Sequence, residues 1–371
     1  MPALVACGGA TGGAAATGPA YVVPAEVKAS VEAAYNSKDV APEGPSVTPL
    51  PNQSIWIVSC GEANVGCATP AKGALEAARA AGMTATVCDG NFGVGDAFNV
   101  CFRQAIAAGA TGIVSLIECP FIPAAYQAAK DAGIPVVSQA FDCDDPNSKT
   151  PGAPLFSTKL KWNAEYETTA EFRRASGELR ADWSMYTTDG KAQAIMLDQQ
   201  GAVGPRYISE GFTQRLATCT SCSVSDSIGF SAQDLQSGAL KQMFSSSLAA
   251  NPNANVVFAP YDPILTAAEA PQALRATGRA QQTKVIGGDG YTPNLDLIRQ
   301  GIQTADLAFD ANWLGWGMVD TLIRVENGQE GIPMGLSYTL IDATHNLPPE
   351  GAAFTSKVDY RAAYLGMWGR T

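Results

Sequence analysis

The chain has 371 residues, room for two or three domains at roughly 100–200 residues each, and its 46% hydrophobic and 16% charged content excludes a disordered polymer. Lys+Arg 24 against Asp+Glu 35 leaves a net charge of −11, a field that repels nucleic acid, whose phosphates are bound by neutralising Lys and Arg. One histidine, His345, excludes a histidine-clustered metal site, and no run of about 18 apolar residues is present to span a bilayer.

Near the start, Leu4-Val5-Ala6-Cys7 resembles the lipobox of bacterial lipoproteins, in which the cysteine sulfur receives a diacylglyceryl group. The Gly/Ala/Thr stretch from Gly8 to Gly18 suits a flexible tether. Only six residues precede Cys7, so the charged and apolar parts of a signal peptide are missing. Either the start is trimmed or placed late, or Cys7 is incidental; lipidation at Cys7 is the reading adopted. Val27, Val31, Ala34 and Tyr35 fall at helical spacing behind Pro24, predicting a short amphipathic helix over 24–36. A proline-punctuated linker follows over 41–51.

From residue 55 a regular alternation begins. Strands are predicted over 55–59, 84–88, 112–118 and 135–141, with helices over 69–82, 95–109 and 123–133 between them. Thr69 reads as an N-cap with Pro70 at N1, and Gly82, Gly109 and Gly133 stand at C′ positions. A long helix over 162–186 joins this half to a second one. There, strands over 192–197, 223–228, 255–259 and 284–288 alternate with helices over 206–217, 234–250 and 263–278. Apolar strands separated by helices mean parallel sheets covered on both faces. The fold class is therefore α/β, with two doubly wound lobes whose strand C-terminal ends face a shared crevice.

Eight cysteines besides Cys7 fit an oxidised, extracytoplasmic protein. Connectivity is not readable from spacing, but local pairing would join Cys60–Cys67, Cys88–Cys101, Cys119–Cys143 and Cys219–Cys222. Cys60, Cys88, Cys119 and Cys143 all follow strand ends on the first lobe, which admits either a thiolate metal site or disulfides fastening rim loops; the disulfide reading is adopted and no metal is expected. Cys219-x-x-Cys222 lies in a polar, uncharged run and reads as a clip rather than a redox or zinc motif.

With this layout, residues 54–342 resemble a periplasmic-binding-protein type I domain of the ribose/galactose-binding kind, the extracytoplasmic receptor of an ABC importer. The resemblance is carried by Ala-Ala-Gly-Met-Thr-Ala-Thr-Val at 80–87, Ala-Gly-Ile-Pro-Val-Val at 132–137 and Arg206 ahead of Glu210-Gly211-Phe212. It continues through Val256-Val257-Phe258-Ala259 with Asp262, Val285-Ile286-Gly287-Gly288-Asp289-Gly290, and the helix from Asn312 to Gly328. It implies crossings between lobes near 159–162, 309–312 and 334–338. The expected division is an N-terminal tether and helix over 1–53, a first lobe of 54–160 plus 312–333, a second of 161–309 plus 338–347, and a C-terminal extension over 348–371.

The resemblance places ligand contacts at Glu62 and Asn64 after the first strand. Phe141 and Asp142 stand near an Asp-Arg pair found in sugar binders, a pair that is absent here. Arg206, Phe230, Asp262 and Asp289 match family ligand positions, Tyr261 replaces an Asn, and Phe309 stands in place of Gln. The added aromatics predict a ligand less hydroxyl-rich than ribose, cyclic or aromatic, with a carboxylate on Arg206. Each residue also has a plain structural role open to it: Arg206 pairing with Glu210 at i,i+4, Asp262 capping a helix, the aromatics in the core. The expected function is a monomeric solute receptor that closes on a small molecule and delivers it to a membrane permease, without cofactor or catalysis, touching the membrane only through a lipid. A sensory receptor of the same fold, signalling to a kinase or chemoreceptor, is the alternative. A repressor is disfavoured by the acidic charge and the lack of a helix-turn-helix before residue 54, and an enzyme using Asp262 and Asp289 is the third reading.

Overall fold

The computed structural model describes residues 21–370. Cys7 and the Gly8–Gly18 tether therefore lie outside the described residues. The chain opens with α1 (Ala25–Tyr35) and then enters the first alternation: β1 (Ser54–Ser59), α2 (Val65–Ala80), β2 (Thr84–Asp89), α3 (Ala97–Ala107), β3 (Gly112–Ser115), α4 (Pro123–Asp131) and β4 (Val136–Ser138). The strands form one parallel sheet in the order β2-β1-β3-β4.

A crossover leads to α5 (Thr169–Thr187) and the second alternation: β5 (Gln193–Gln199), α6 (Val203–Leu216), β6 (Ser223–Phe230), α7 (Ala232–Ser237), α8 (Ala239–Ala250), β7 (Val256–Phe258), α9 (Asp262–Ala267), α10 (Ala270–Ala276), β8 (Lys284–Asp289), α11 (Thr292–Arg299) and β9 (Ala305–Ala308). It ends with α12 (Ala311–Glu326), β10 (Thr339–Asp342) and α13 (Tyr360–Met367). The second sheet runs β10-β9-β8-β7-β5-β6, parallel except for β10 against β9. Two parallel sheets in two lobes are thus the architecture, as the periodicity implied.

Helix ends carry most of the differences. The helix expected over 69–82 starts at Val65, because Asn64 is the N-cap: its Oδ1 accepts from Gly66 N at 2.7 Å, leaving Pro70 inside the helix. The segment 234–250 breaks at Gly238 (φ +76°), where Ser231 and Asp234 form a capping box on the short α7. The segment 263–278 breaks at Glu269 (φ +45°), two residues before Pro271, which cannot continue a helix from behind. The helix expected from 162 starts at Thr169, capped by Thr168 with Glu171. Gly82, Gly109 and Gly133 take φ of +80°, +67° and +71°, the left-handed closure read from the sequence. The elements α11, β9, β10 and α13 carried no recognised signal.

After the second sheet the chain returns to the first. α12 lies on α2 so closely that a Cβ on Gly73 would stand 2.3 Å from Asn312 O, and one on Gly315 would stand 2.3 Å from Ala74 N. The C-terminal segment is built into this face. Trp313 stacks on Tyr360 and Trp316 on Trp368, whose Nε1 donates to Asp320 in a buried pair with Arg324. α1 packs instead on α5 and β10.

Candidate ligand cavity between the lobes

The carboxyl ends of both sheets face a cavity of about 770 Å³. Four first-lobe loops reach it, fastened by three disulfides: Cys60–Cys67 after β1, Cys88–Cys101 around the loop after β2, and Cys119–Cys143 between the loops after β3 and β4. The four local pairings are all formed, and Cys219–Cys222 closes the turn into β6. Cys119, Asp142 and Cys143 lie within ligand distance of one another. The two sulfurs are bonded to each other, however, and the Asp142 carboxylate accepts from Cys143 N, Leu155 N and Phe156 N, so no free donor set remains there.

At the deep end stand Arg173 and Asp289. Arg173, on α5, is 7% exposed; its Nη2 donates to Gln139 Oε1 across the lobes at 2.7 Å, and its guanidinium lies 5.6 Å from the ring centres of Trp162 and Phe309. Among the described residues its only side-chain hydrogen bond is to that neutral amide. Asp289 ends β8 in the left-handed half of backbone space (φ +108°), a position only a surrounding structure maintains. Burial pushes its carboxyl up to about 7, against the pull of Arg173 and Arg180.

The glycines before Asp289 have a packing reason. A Cβ on Gly288 would overlap Arg180 Nη2 at 1.4 Å, and one on Gly287 would meet Asp262 Oδ1 at 2.4 Å. Arg180 Nε donates to Gly287 O, and Asp262 accepts from Gly288 N and Tyr291 N. Asp306 beside it accepts from Gly290 N and from the Gln303 amide. Burial and the Asp306 charge raise the Asp262 carboxyl well above the usual range. This buried network sets the backbone from which Asp289 and Tyr291 reach the cavity.

On one flank the lobes touch. The Glu118 carboxylate, following β3, accepts from Val203 N and Gly204 N at 2.8 Å each, capping α6 from the opposite lobe. Desolvation raises its carboxyl despite these bonds. Phe141 stacks on Tyr207 at 5.1 Å, and Tyr207 Oη donates to Asp145.

Five of the expected residues line the cavity: Asn64, Phe141, Tyr261, Asp289 and Phe309. Five do not, each for a visible reason. Glu62 is exposed, its N–H donating to Asp89. Asp142 fastens the loop to 156 as described. Arg206 is half exposed, pairs with Glu210 at 2.9 Å and reaches the Asn147 carbonyl across the cleft. Phe230 is 1% exposed within the second-lobe core. Asp262 lies beneath the strand end, fully buried. Arg173, Glu118, Gln139, Phe92, Phe98, Phe121 and Tyr291 line the cavity without having been singled out. Glu118 closes the segment read as the third strand, so its strand-end position was a usable signal; Arg173 has no marker in its spacing.

Comparison with known proteins agrees with this geometry. Residues 57–330 match the family described as a periplasmic binding protein domain, and the chain belongs to that family, an extracytoplasmic one. Among solved structures it is similar to a glucose-galactose binding protein from Geobacillus stearothermophilus (18% identity, TM-score 0.64, covering 79% of this chain and 98% of that one). It is similar to an ABC transporter solute binding protein from Burkholderia graminis C4D1M in complex with D-arabinose (21%, 0.64, 78% and 95%). A third is an ABC transporter solute binding protein from Bacillus halodurans C-125 with bound myo-inositol (17%, 0.61, 81% and 96%). A comparison with curated proteins finds no sequence match. No helix among the described residues is long and apolar enough to cross a membrane.

Proposed function

We propose that this chain is the solute receptor of an ABC importer: it closes its lobes on a sugar-like, cyclic polyol or aromatic compound and delivers it to a membrane permease. The observation that carries this is the cavity itself, bounded by both lobes, with the buried Arg173 donor and the Asp289 acceptor turned into it. A guanidinium and a carboxylate at one end hold hydroxyls or a polar head without breaking a bond, so binding rather than turnover is the output. The ligand-bound relatives support a small hydroxylated molecule as the cargo. The receptor acts as a monomer, held at the membrane by a lipid on Cys7.

A thermal-shift screen of sugars, cyclitols, nucleosides and aromatic acids tests the reading. A cargo at 100 times its Kd adds about 2.7 kcal/mol of stability, recorded with the compound recovered unchanged. A compound that is consumed, or a whole panel without a shift, counts against it.

A further inference from the structure

The cavity is polarised along its depth. Arg173, Asp289, Tyr291 and Phe309 at the inner end are each at most 8% exposed. Phe92 and Phe121, also in the lining, are 42% and 51% exposed, so they mark the mouth. From the second lobe the lining includes the partly exposed Leu235.

The mouth is built. Phe92 lies in the left-handed region (φ +53°) inside a loop where Asn91, Gly93, Gly95 and Asp96 also take positive φ, a conformation unfavourable for a bulky residue. The loop is closed by Cys88–Cys101. The Phe92 ring rests on Gly61, where a Cβ would stand 2.6 Å away, and the Phe98 ring rests on Gly90 in the same manner. On the second lobe, Leu235 sits on α7, a helix held by the Ser231–Asp234 capping box. Two aromatic rings buttressed on glycines in a strained, stapled loop form a fixed apolar wall open to solvent, continuous with the polar inner end.

Resting on the receptor reading, we propose that the cargo is amphipathic: a hydroxylated ring held by Arg173 and Asp289, joined to an aromatic group clamped at the mouth between Phe92, Phe98 and Phe121 of the first lobe and Leu235 of the second. Two features of the cavity select this class. A space of about 770 Å³ lies in the upper part of the roughly 300–1,000 Å³ range of sites for drug-sized ligands, more than one sugar ring fills. And a carboxylate head on Arg173 would stand among Asp289 and Glu118, whereas a hydroxyl accepts from the guanidinium and donates to Asp289. Aryl glycosides have this form.

The test is isothermal titration calorimetry on the whole chain with matched pairs: phenyl β-D-glucopyranoside against glucose, phenyl β-D-galactopyranoside against galactose, and phenyl β-D-xylopyranoside against xylose. In the best pair the glycoside binds about tenfold or more tighter than its sugar, from the added apolar burial. Phe121→Ala and Leu235→Ala, one on each lobe and both solvent-accessible, each remove most of that ratio while leaving the free sugar within about twofold. Sugar binding with no glycoside tighter than its own sugar in any pair overturns the amphipathic cargo and leaves the receptor reading standing. Binding by no member of any pair also overturns it, and the wider screen then decides the receptor reading separately.

Discussion

The two rims of the cavity meet one requirement with different chemistry. Loops at strand ends must be held still for a ligand to find its partners in place. On the first lobe three disulfides do this, two closing one loop each and the third tying the loops after β3 and β4 together. On the second, buried side chains do it: Asp262 and Asp306 accept from the backbone N–H groups of Gly288, Tyr291 and Gly290, and Arg180 holds Gly287. A covalent rim is indifferent to pH and exposed to reductant; a rim of buried ionisable groups is the reverse. That difference generates predictions that separate the lobes.

The largest effect is expected from reduction. Opening the first-lobe disulfides removes about 2–4 kcal/mol per bridge. Hydrogen exchange in a phosphine reductant should show the loops after β1, β2 and β3 losing protection while β7 and β8 keep theirs. Uniform loss across both lobes would erase the distinction. The matching insult to the second rim is Gly288→Ala, whose Cβ displaces the Arg180 guanidinium; severing a buried charge from its partners costs about 3–5 kcal/mol, read by urea unfolding. A change below about 1 kcal/mol would show that Arg180 is not fixed there.

Asp289 makes the second rim respond to pH. Asp289 has a folded-state carboxyl near 7, far above its value in an unfolded chain, so the native state binds the extra proton. The stability this proton contributes is complete below about pH 4 and is lost as pH rises through about 7. Ionised Asp289 is the better acceptor, so affinity for a hydroxylated ligand moves the opposite way, rising to a plateau above about 7. Asp289→Asn should flatten the affinity profile; a profile that keeps its midpoint in that variant would assign it to another group. The smallest effect belongs to the flank between the lobes. Glu118→Gln keeps the shape but loses the charge and one of the two acceptor oxygens at the α6 N-terminus, together worth about 1 kcal/mol or more, and should weaken ligand affinity at least about fivefold through the closed form.

Much of the scaffold was legible because its signals are local. Apolar strand runs, the C′ glycines Gly82, Gly109 and Gly133, and short cysteine separations each act over a few residues. What was lost lay where two local signals compete or tertiary packing decides: Asn64 outranked Thr69 as a cap, and Pro271 split a helix that periodicity joined. The C-terminal segment looked like an appendage, yet its aromatic rings complete the face of α12. The site was half legible for the same reason. The family resemblance, which sets contacts at strand ends, pointed to Asn64, Phe141, Tyr261, Asp289 and Phe309, but the position alone does not say whether a side chain turns into the cavity or beneath it, as Asp262 does. Arg206 had its partner Glu210 four residues away in plain view, and the structure forms that pair. Arg173 becomes a cavity residue because α5 starts at Thr169 just after the crossover, so its N-terminal end reaches Gln139 of the first lobe, a fact of topology with no trace in spacing.

The most direct measurement of the hinged receptor is small-angle X-ray scattering during a titration with whichever compound gives a calorimetric isotherm. Closure predicts a radius of gyration that falls with the same midpoint as the heat, and no such fall in Arg173→Ala. A compound that saturates the cavity while the scattering stays constant would contradict it.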